Sequence, residues 1–494
     1  MKSSIDTLLK SLKRASPLEK DLVTRAWKFS EEAHTPQKRE SGEPYFTHVA
    51  ETALTLANLG ADAATITAGL LHDTIEDTGK TIEDIRNDFG LEVAFLVDGV
   101  TKLGKLKYRG LKRHVESLRK LFIATAEDPR VILIKLADRL HNMQTLKALP
   151  EEKRMRIALE TLEIYAPIAH RLGIGKMKGE LEDLAFQAAY QEAFMETRKA
   201  RDEKASRAED ELKKMVLKIG TLLRGVGISA HSIDTRIKHL YSLHKKLQEK
   251  NANIENIYDI AALRVIVGTV EECYLVLGLI HSTWKPLPGR IKDYIAIPKA
   301  NGYRSLHTTV FTGTGSVVEI QIRTQEMHDI AEHGIASHVS YKEHTNSSSS
   351  FALAQKLMKG PLDVSSGSDS PRWIRDLAET HKEEQHSQSF IKNLKVDVLG
   401  DRIFVFTPRG EVVDLPVDAS PIDFAYSIHT DLGNHAAGAR INGKFMALNT
   451  KLKHGDIVEI ETKESSHPSA KWLAWVKTSF AKKKIRIAVE NQKK

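Results

Sequence analysis

Residues 70–78 read LLHDTIEDT and set His72, Asp73, Glu76 and Asp77 within six positions, directly after the apolar stretch ADAATITAG. At helical spacing His72 falls beneath Glu76 and Asp73 beneath Asp77, which stacks like charges on one face and costs stability. A divalent cation among those groups would offset that cost. Two further donors stand at helix edges: His48 in GEPYFTHVAETA and Asp138 in ILIKLADRLHNM, where Asp138 shares a helical face with Asn142. Two imidazoles and two carboxylates suit a hard to borderline ion such as Mn2+, with positions left for water or phosphate. Such a site generates a hydroxide nucleophile and neutralises phosphate charge. Glu76 and Asp77, one turn further on, would orient or deprotonate the attacking water. The competing reading is a solvated His-Asp pair on a helix. The ordered set His48, His72, Asp73, Glu76, Asp77 and Asp138 favours the metal.

A second constellation follows. TRIKHLYS brings Arg236, Lys238 and His239 together at the start of an expected helix, where they could clamp a triphosphate. IYDIAALRV supplies Asp259 just before an apolar strand, and VVEIQIRT supplies Glu319 on another. Carboxylates from two strands converging on Mg2+ are what phosphoryl or pyrophosphoryl transfer requires. Between them lies GRIKDYIAIPKANGYRSLHTTV, with Arg290, Lys292, Lys299 and His307 around Asn301, Gly302 and Tyr303. Several cations with one aromatic suit a loop that holds phosphates while a base stacks on the ring. Taken singly, each Arg or Lys reads as solvated surface and Tyr303 as core; the whole string does not.

These residues need several domains to position them. A chain of 494 residues exceeds one hydrophobic core, and two to four domains are expected. Hydrophobic residues at 41% and charged residues at 28% are those of a globular protein. No apolar run approaches the roughly 18 residues of a membrane span and the N-terminus has no signal-peptide core, so a cytoplasmic chain with no membrane partner is expected. One cysteine, Cys273, excludes an internal disulfide and a multi-cysteine zinc site. A net charge of +8 is compatible with phosphate-bearing partners. Texture divides the chain into an all-α region at 1–195, a mixed α/β region at 196–342 entered through a long charged helix, and a Ser-rich linker with a helix near 372–392 at 343–395. A compact β-rich module at 396–463 and a basic tail at 464–494 complete it.

RESGEPYFTH, LLHDTIEDT and VILIKLADRLHNMQTLK together resemble the hydrolase domain of the RelA/SpoT homologue family, a branch of the HD phosphohydrolases. The resemblance implies His48, His72, Asp73 and Asp138 as Mn2+ ligands, Glu76 and Asp77 as the catalytic pair, and Arg39 and Asn142 as nucleotide contacts. It implies removal of pyrophosphate from the 3′ position of guanosine tetra- or pentaphosphate, (p)ppGpp. Glu40 and Val49 depart from the family pattern, and Glu40 opposes a polyanionic substrate. The stretch from Gly289 to Val310 resembles the family's synthetase domain, a nucleotidyltransferase-like α/β fold, which implies transfer of the β,γ-pyrophosphate of ATP to the 3′-hydroxyl of GDP or GTP. By position Asp259 and Glu319 would hold Mg2+, with Glu319 also activating the hydroxyl. Arg236 and Arg264 would sandwich adenine, and Lys238 and Lys299 would take ATP phosphates. Tyr303 would stack on guanine beside Asn301 and His307. RIKD, residues 290–293, with Arg290 and Lys292, matches the basic tetrad of bifunctional members. Ile237, Arg304 and Val339 are departures. PIDFAYSIHTDLGNHAAGARINGK resembles a TGS domain, a β-grasp unit in which His429 holds the position implicated in a tRNA contact on the ribosome; Phe424 and Ile428 are expected to fill its core. The resemblance covers about residues 20–480, and the helical, zinc-finger and ACT regions of longer members have no counterpart, so weak stimulation by ribosomes is expected. The alternatives are a chain with one live site and the other kept as a nucleotide sensor, and an inert tRNA-binding regulator.

Overall fold

The computed structural model describes residues 4–12, 15–101, 121–228, 232–249, 253–299, 301–313, 316–336, 374, 396–397 and 400–492. Val339 and, apart from Ile374, the helix expected near 372–392 lie outside them. The chain divides into two compact units, one of Met1–Arg39, Glu43–Asp138 and Glu343–Lys494, the other of Glu40–Gly42 and Arg139–Lys342. Apart from the bridge Lys38–Pro44, every described element from residue 4 to 225 is helical, as the periodicity requires.

In the first unit α1 (Pro17–Ala33) starts on a capping box between Ser16 and Glu19 with proline at its first position. It buries Val23, Ala26, Trp27 and Ser30, the spacing of one helical face. Next come α2 (Phe46–Asn58) and α3 (Ala63–Leu71), and α3, which carries no charged residue and only Thr65 and Thr67 as polar ones, is buried along its whole length. A Cβ on Gly69 would lie 2.4 Å from Leu56 Cδ1, so the Leu56 side chain of α2 packs into the space that glycine leaves on α3. The helix expected to run through LLHDTIEDT does not continue. It stops at Leu71, and α4 is a single turn, Thr74–Asp77. Between them Asp73 takes φ −98° and ψ −5°, the sparsely allowed bridge region. Asp73 opens the turn that follows, its carbonyl accepting from Asp77 N at 2.9 Å, so Asp73 and Asp77 stay one turn apart and only His72 is set off by the break. Then follow α5 (Ile82–Thr101), interrupted at Gly90, and α6 (Arg130–Gln144), whose residues from Arg139 on belong to the second unit.

The second unit carries α7 (Glu151–Glu160), α8 (Ala166–Arg171), α9 (Gly175–Ala189) and the 35-residue α10 (Gln191–Gly225). The charged α10 is not exposed all round: Leu212, Met215, Ile219 and Leu223 form a buried stripe. The strands are β1 (Ser232–Ile237), β2 (Ala261–Val267), β3 (Lys292–Asp293), β4 (Leu306–Phe311) and β5 (Val317–Thr324), with α11 (Leu240–Glu249) after β1, α12 (Val270–Thr283) after β2 and α13 (Gln325–His333) after β5. Their order is β1-β2-β5-β4-β3, with β2 and β5 parallel and the other pairs antiparallel. Alternation decides which face does what. Leu263, Val265, Val267, Val318, Ile320, Ile322, Leu306 and Val310 face one core with the α10 stripe and with Cys273, Val276 and Ile280 of α12. Their neighbours, among them Arg264, Glu319, Gln321 and His307, therefore share the opposite face.

The end of α13 depends on glycine. Gly334 has φ +56°, and a Cβ there would lie 2.2 Å from Leu172 O and 2.6 Å from Gly173 C. The neighbouring Ile335 N donates to Leu172 O at 3.1 Å. Gly334→Ala should destabilise this unit by roughly 2 kcal/mol or more and lower its thermal unfolding midpoint. An unchanged midpoint would show that α13 does not end against residues 172–173.

The C-terminal module has a hairpin of β6 (Arg402–Phe406) and β7 (Val412–Pro416), then α14 (Pro421–Ile428), a sheet ordered β10-β8-β9 from β8 (Ala436–Ile441), β9 (Lys444–Met446) and β10 (Val458–Thr462), and α15 (Ser479–Asn491). Phe424 fills its core with Val405, Leu415 and Val458, as expected. Ile428 does not; at the end of α14 it is 37% exposed. The segment after residue 463 contributes Trp472, Val476 and Ile485 to a second core with Ile422 and Tyr426, so its lysines ride on a helix with one packed face.

Candidate metal and nucleotide sites

In the first unit α2, the α3–α4 break and α6 bring four donors together. His48 Nε2 lies 3.4 Å from Asp73 Oδ2 and 3.3 Å from Asp138 Oδ1, and His72 Nε2 lies 3.2 Å and 3.9 Å from the same oxygens. Neighbouring ligands of an ion bound at about 2.1 Å sit roughly 3 Å apart, so these separations fit one coordination sphere. His48, His72 and Asp138 are all buried. The imidazole of His72 donates from Nδ1 to Gly69 O at 2.7 Å, which leaves Nε2 with its lone pair inward. That nitrogen is buried and makes no hydrogen bond. An orphaned imidazole nitrogen facing two carboxylate oxygens is the pattern a divalent metal satisfies.

Three side chains that sequence reasoning passed over hold the cluster. Lys135 Nζ takes the other oxygen of Asp138 at 2.6 Å, so Oδ1 alone faces the imidazoles. Tyr45 OH donates to Asp73 Oδ2 at 2.8 Å, and the Gln37 amide donates to Asp77 O. Tyr45 stands three residues before His48 and Lys135 three before Asp138, a helical spacing that was there to be read. With no ion in the cluster, burial opposes charge on His72, yet Asp73 beside it raises its pKa to about 9, so a bound cation would take the place of the proton on Nε2. Glu76 lies at the exposed rim, and partial desolvation of its carboxyl, with Asp73 nearby, pushes it up to about 7. Asp77 is beside it on α4, exposed. Arg39 stands within the Lys38–Pro44 bridge, its N–H donating to Glu43 O at 2.9 Å, and Asn142 lies one turn beyond Asp138 on α6. Glu40, the adverse acidic departure, lies 3.5 Å from Lys153 Nζ on the surface.

In the second unit the polar face of the sheet gathers most of the other candidates. Pairing sets Arg236 of β1 opposite Ala262, Ala262 opposite Glu319, and Glu319 opposite Thr309. The next row on that face runs Arg264, Gln321, His307 and Lys292. Arg236 thus lies in a strand, not at a helix start as TRIKHLYS suggested, and its Nη1 donates to Gln321 Oε1 at 3.0 Å. Gln321 passes this on, donating to Glu319 Oε1 at 2.9 Å, with His307 Nδ1 at 3.4 Å from the same oxygen. Burial opposes ionisation of Glu319, but these donors keep its pKa below the ordinary value. Tyr303 OH lies 2.7 Å from His307 Nε2. Lys299 Nζ sits 4.6 Å from the Tyr294 ring centre and 5.0 Å from that of Tyr303. Burial, then the charge of Lys292, depresses Lys299 to about 8. The cleft beside these groups is lined by Lys246, Tyr258, Asp259, Arg290, Lys292, His307 and Glu319, and Arg290 lies 5.7 Å from the Tyr258 ring centre.

One expectation fails here: His239 does not join the phosphate clamp, since its Nδ1 lies 2.8 Å from Asp183 Oδ2 and its ring rests where a Cβ on Gly179 would be, so it faces α9. Asn301 lies beside Tyr303, accepting from Tyr303 N at 3.3 Å while its amide donates to His170 O at 3.1 Å. The magnesium assignment meets an obstacle. Asp259 Oδ2 carries Lys238 Nζ at 2.7 Å and Lys246 Nζ at 2.5 Å, and although burial opposes it, these two cations pull its pKa down to about 2. Glu319 is engaged as described. Asp259 and Glu319 therefore do not fit Mg2+ in this arrangement. Lys246, eight residues after Lys238, had no sequence signal because only the fold brings it to Asp259.

His429, at the start of the short helix after α14, accepts at Nδ1 from Asp431 N at 3.3 Å and is 69% exposed. Its ring is open to solvent, and among the described residues its other nitrogen has no hydrogen bond.

Comparison with known proteins agrees with this layout. Residues 26–175 match the HD domain, residues 235–346 the region found in RelA / SpoT proteins, and residues 403–462 the TGS domain. The guanosine-3′,5′-bis(diphosphate) 3′-pyrophosphohydrolase of Aquifex aeolicus (strain VF5) is 46% identical over 492 residues, 99% of this chain and 68% of its own length. The bifunctional (p)ppGpp synthase/hydrolase SpoT of Escherichia coli (strain K12) is 44% identical over 96% of this chain and 65% of its own, and the GTP pyrophosphokinase of Myxococcus xanthus 44% over 96% and 61%. The chain belongs to the RelA/SpoT homologue family, with an all-α HD domain, a RelA/SpoT-type α/β domain and a β-grasp TGS domain. It spans about three fifths to two thirds of the length of these curated relatives. Among the described residues no helix is long and apolar enough to cross a membrane.

Proposed function

We propose that this chain both makes and destroys guanosine 3′-pyrophosphates, with the metal-binding donors of hydrolysis in one unit and the residues of synthesis in the other. The observation that carries the reading is the presence, in one chain, of a buried cluster of His48, His72 and Asp138 with Asp73 half-buried beside it, and of a sheet face that gathers Glu319 and His307 with Tyr303, Lys292 and Lys299 close by. Hydrolysis follows ppGpp + H2O → GDP + pyrophosphate. His48, His72, Asp73 and Asp138 would hold the ion, which supplies charge neutralisation of the 3′-phosphates and acidification of water. Glu76, with its pKa near neutrality, takes the proton of the attacking water, and Asp77 beside it orients that water. The water oxygen joins phosphorus as the bond to the 3′ oxygen breaks, and that oxygen leaves with a proton. Arg39 and Asn142 contact the nucleotide.

Synthesis follows ATP + GDP → AMP + ppGpp. The 3′ oxygen of GDP or GTP bonds to the β-phosphorus of ATP while the α,β-bridging bond breaks and AMP leaves. Glu319, held ionised by Gln321 and His307, accepts the hydroxyl proton. Lys238, Lys299, Arg290 and Lys292 neutralise the phosphates, Arg236 and Arg264 flank the adenine, and guanine lies on Tyr303. For phosphate to reach Lys238 and Lys246 it must displace Asp259, an exchange of one anion for another. Product chromatography tests both halves: AMP and ppGpp from ATP and GDP, and GDP and pyrophosphate from ppGpp. A chain that does neither would be a binding protein. Contact of tRNA with His429 is a further part of the proposal, supported by its open ring.

A pH effect follows from Lys299. A lysine with a pKa of about 8 is charged below that value and loses its charge as pH rises through it. Phosphate binding favours the charged form, so kcat/KM for synthesis should fall as pH rises from 7.5 to 9. Lys299→Arg, which stays charged, should flatten the fall. An identical profile in wild type and variant would remove Lys299 from phosphate binding.

A further inference from the structure

We propose that Glu332 is a positioning residue for both nucleotide platforms of the synthetic site, through Arg264 on one side and through Arg323 and Tyr303 on the other; this rests on the synthesis reading above. Glu332 is the penultimate residue of α13, and its Oε1 accepts from Arg264 Nη1 at 3.1 Å and from Arg323 Nη2 at 3.1 Å. Among the described residues no other carboxylate is paired with either arginine. One carboxylate oxygen thus fixes two guanidinium groups that come from different strands of the same sheet face.

Arg323 is the less expected of the two. It is 1% exposed, the largest fully buried side chain among the described residues, and among them its Nε has no partner. A buried guanidinium is strongly penalised unless it is paired, and an apolar residue of similar volume often serves stability as well. The geometry gives it another task. Its Cζ lies 5.9 Å from the Tyr303 ring centre, within cation–π range, while a second bond from Nη2 reaches His328 Nδ1 at 2.8 Å. A guanidinium can only donate, so Nδ1 of His328 is the acceptor. Arg323 is held from α13 by two bonds and lies against the ring whose hydroxyl meets His307. A line of contacts therefore runs from Glu332 through Arg323 and Tyr303 to His307 and Glu319. A shorter one runs from Glu332 to Arg264.

The asymmetry of these lines makes the test specific. Equilibrium dissociation constants of GDP and of α,β-methylene-ATP are measured on the full chain, together with melting temperatures, for wild type, Glu332→Gln, Arg323→Met and Arg323→Lys. Glu332→Gln keeps the shape and loses the charge, and should weaken both nucleotides by about three- to tenfold. Arg323→Met should weaken GDP by a similar factor and leave the ATP analogue within about twofold. Arg323→Lys, which returns a cation to the ring, should recover part of the loss. Unchanged constants in Glu332→Gln, or an Arg323→Met chain that weakens both nucleotides equally with a lower melting temperature, would overturn the proposal and leave the pair a packing feature. A wild-type chain that binds neither nucleotide would instead overturn the synthesis reading and this inference with it, a result distinct from normal binding with unaltered variants.

Discussion

Asp73→Ala should reduce hydrolysis of ppGpp by about a thousandfold or more while ATP and GDP still give ppGpp. Asp73 Oδ2 is the oxygen that both imidazoles approach, at 3.4 and 3.2 Å, so its loss opens the donor set on one side. A metal centre supplies several kcal/mol of charge stabilisation, and about 1.4 kcal/mol is a factor of ten in rate. Mn2+ affinity, read by calorimetry, should fall with the rate, which separates loss of the ion from loss of the fold. Synthesis should persist because Glu319, His307 and Tyr303 all belong to the other compact unit. Loss of both reactions in a variant that melts normally would contradict the assignment of two sites.

Glu319→Gln should do the reverse. The substitution keeps size and hydrogen-bonding capacity but removes the charge that accepts the 3′-hydroxyl proton. General-base catalysis contributes about 10^2 to 10^4-fold, so synthesis should fall within that range. Hydrolysis should change by less than about twofold. Glu319 sits in the middle of a sheet, paired on both sides with Ala262 and Thr309, and glutamine fits there without a change of backbone. Synthesis at the wild-type rate would move Glu319 from the reaction to the hydrogen-bond network around Gln321.

Some of this arrangement could be read from the chain and some could not. His48, His72, Asp73 and Asp138 were legible because each is a costly polar group set against an apolar helical run. The break at His72–Asp73 was not, since periodicity records burial and says nothing of a bridge-region residue. The strand that follows Asp259 and the one that carries Glu319 were legible from their apolar residues, and alternation in EIQIR carried a further signal for Gln321 and Arg323. TRIKHLYS misled for the same kind of reason: Arg236 and Lys238 share a segment with His239, but the strand ends between them and His239 turns toward Asp183. Lys246 and Glu332 act on residues 13 and 68 positions away in sequence, and no local pattern encodes such pairs. Ile428 was placed in the core by helical spacing, yet α14 ends there and its last turn meets solvent.

The most direct test of two opposed reactions in separate sites is pyrophosphate release from ATP and GDP, with Mg2+ and Mn2+ present, by Asp73→Ala and Glu319→Gln chains alone and in an equal mixture. Alone, the first should make ppGpp and stop, and the second should lack ppGpp to hydrolyse, so neither should release pyrophosphate. The mixture should release it steadily, because one chain's product is the other's substrate. Pyrophosphate from either variant alone, or none from the mixture, would contradict the account.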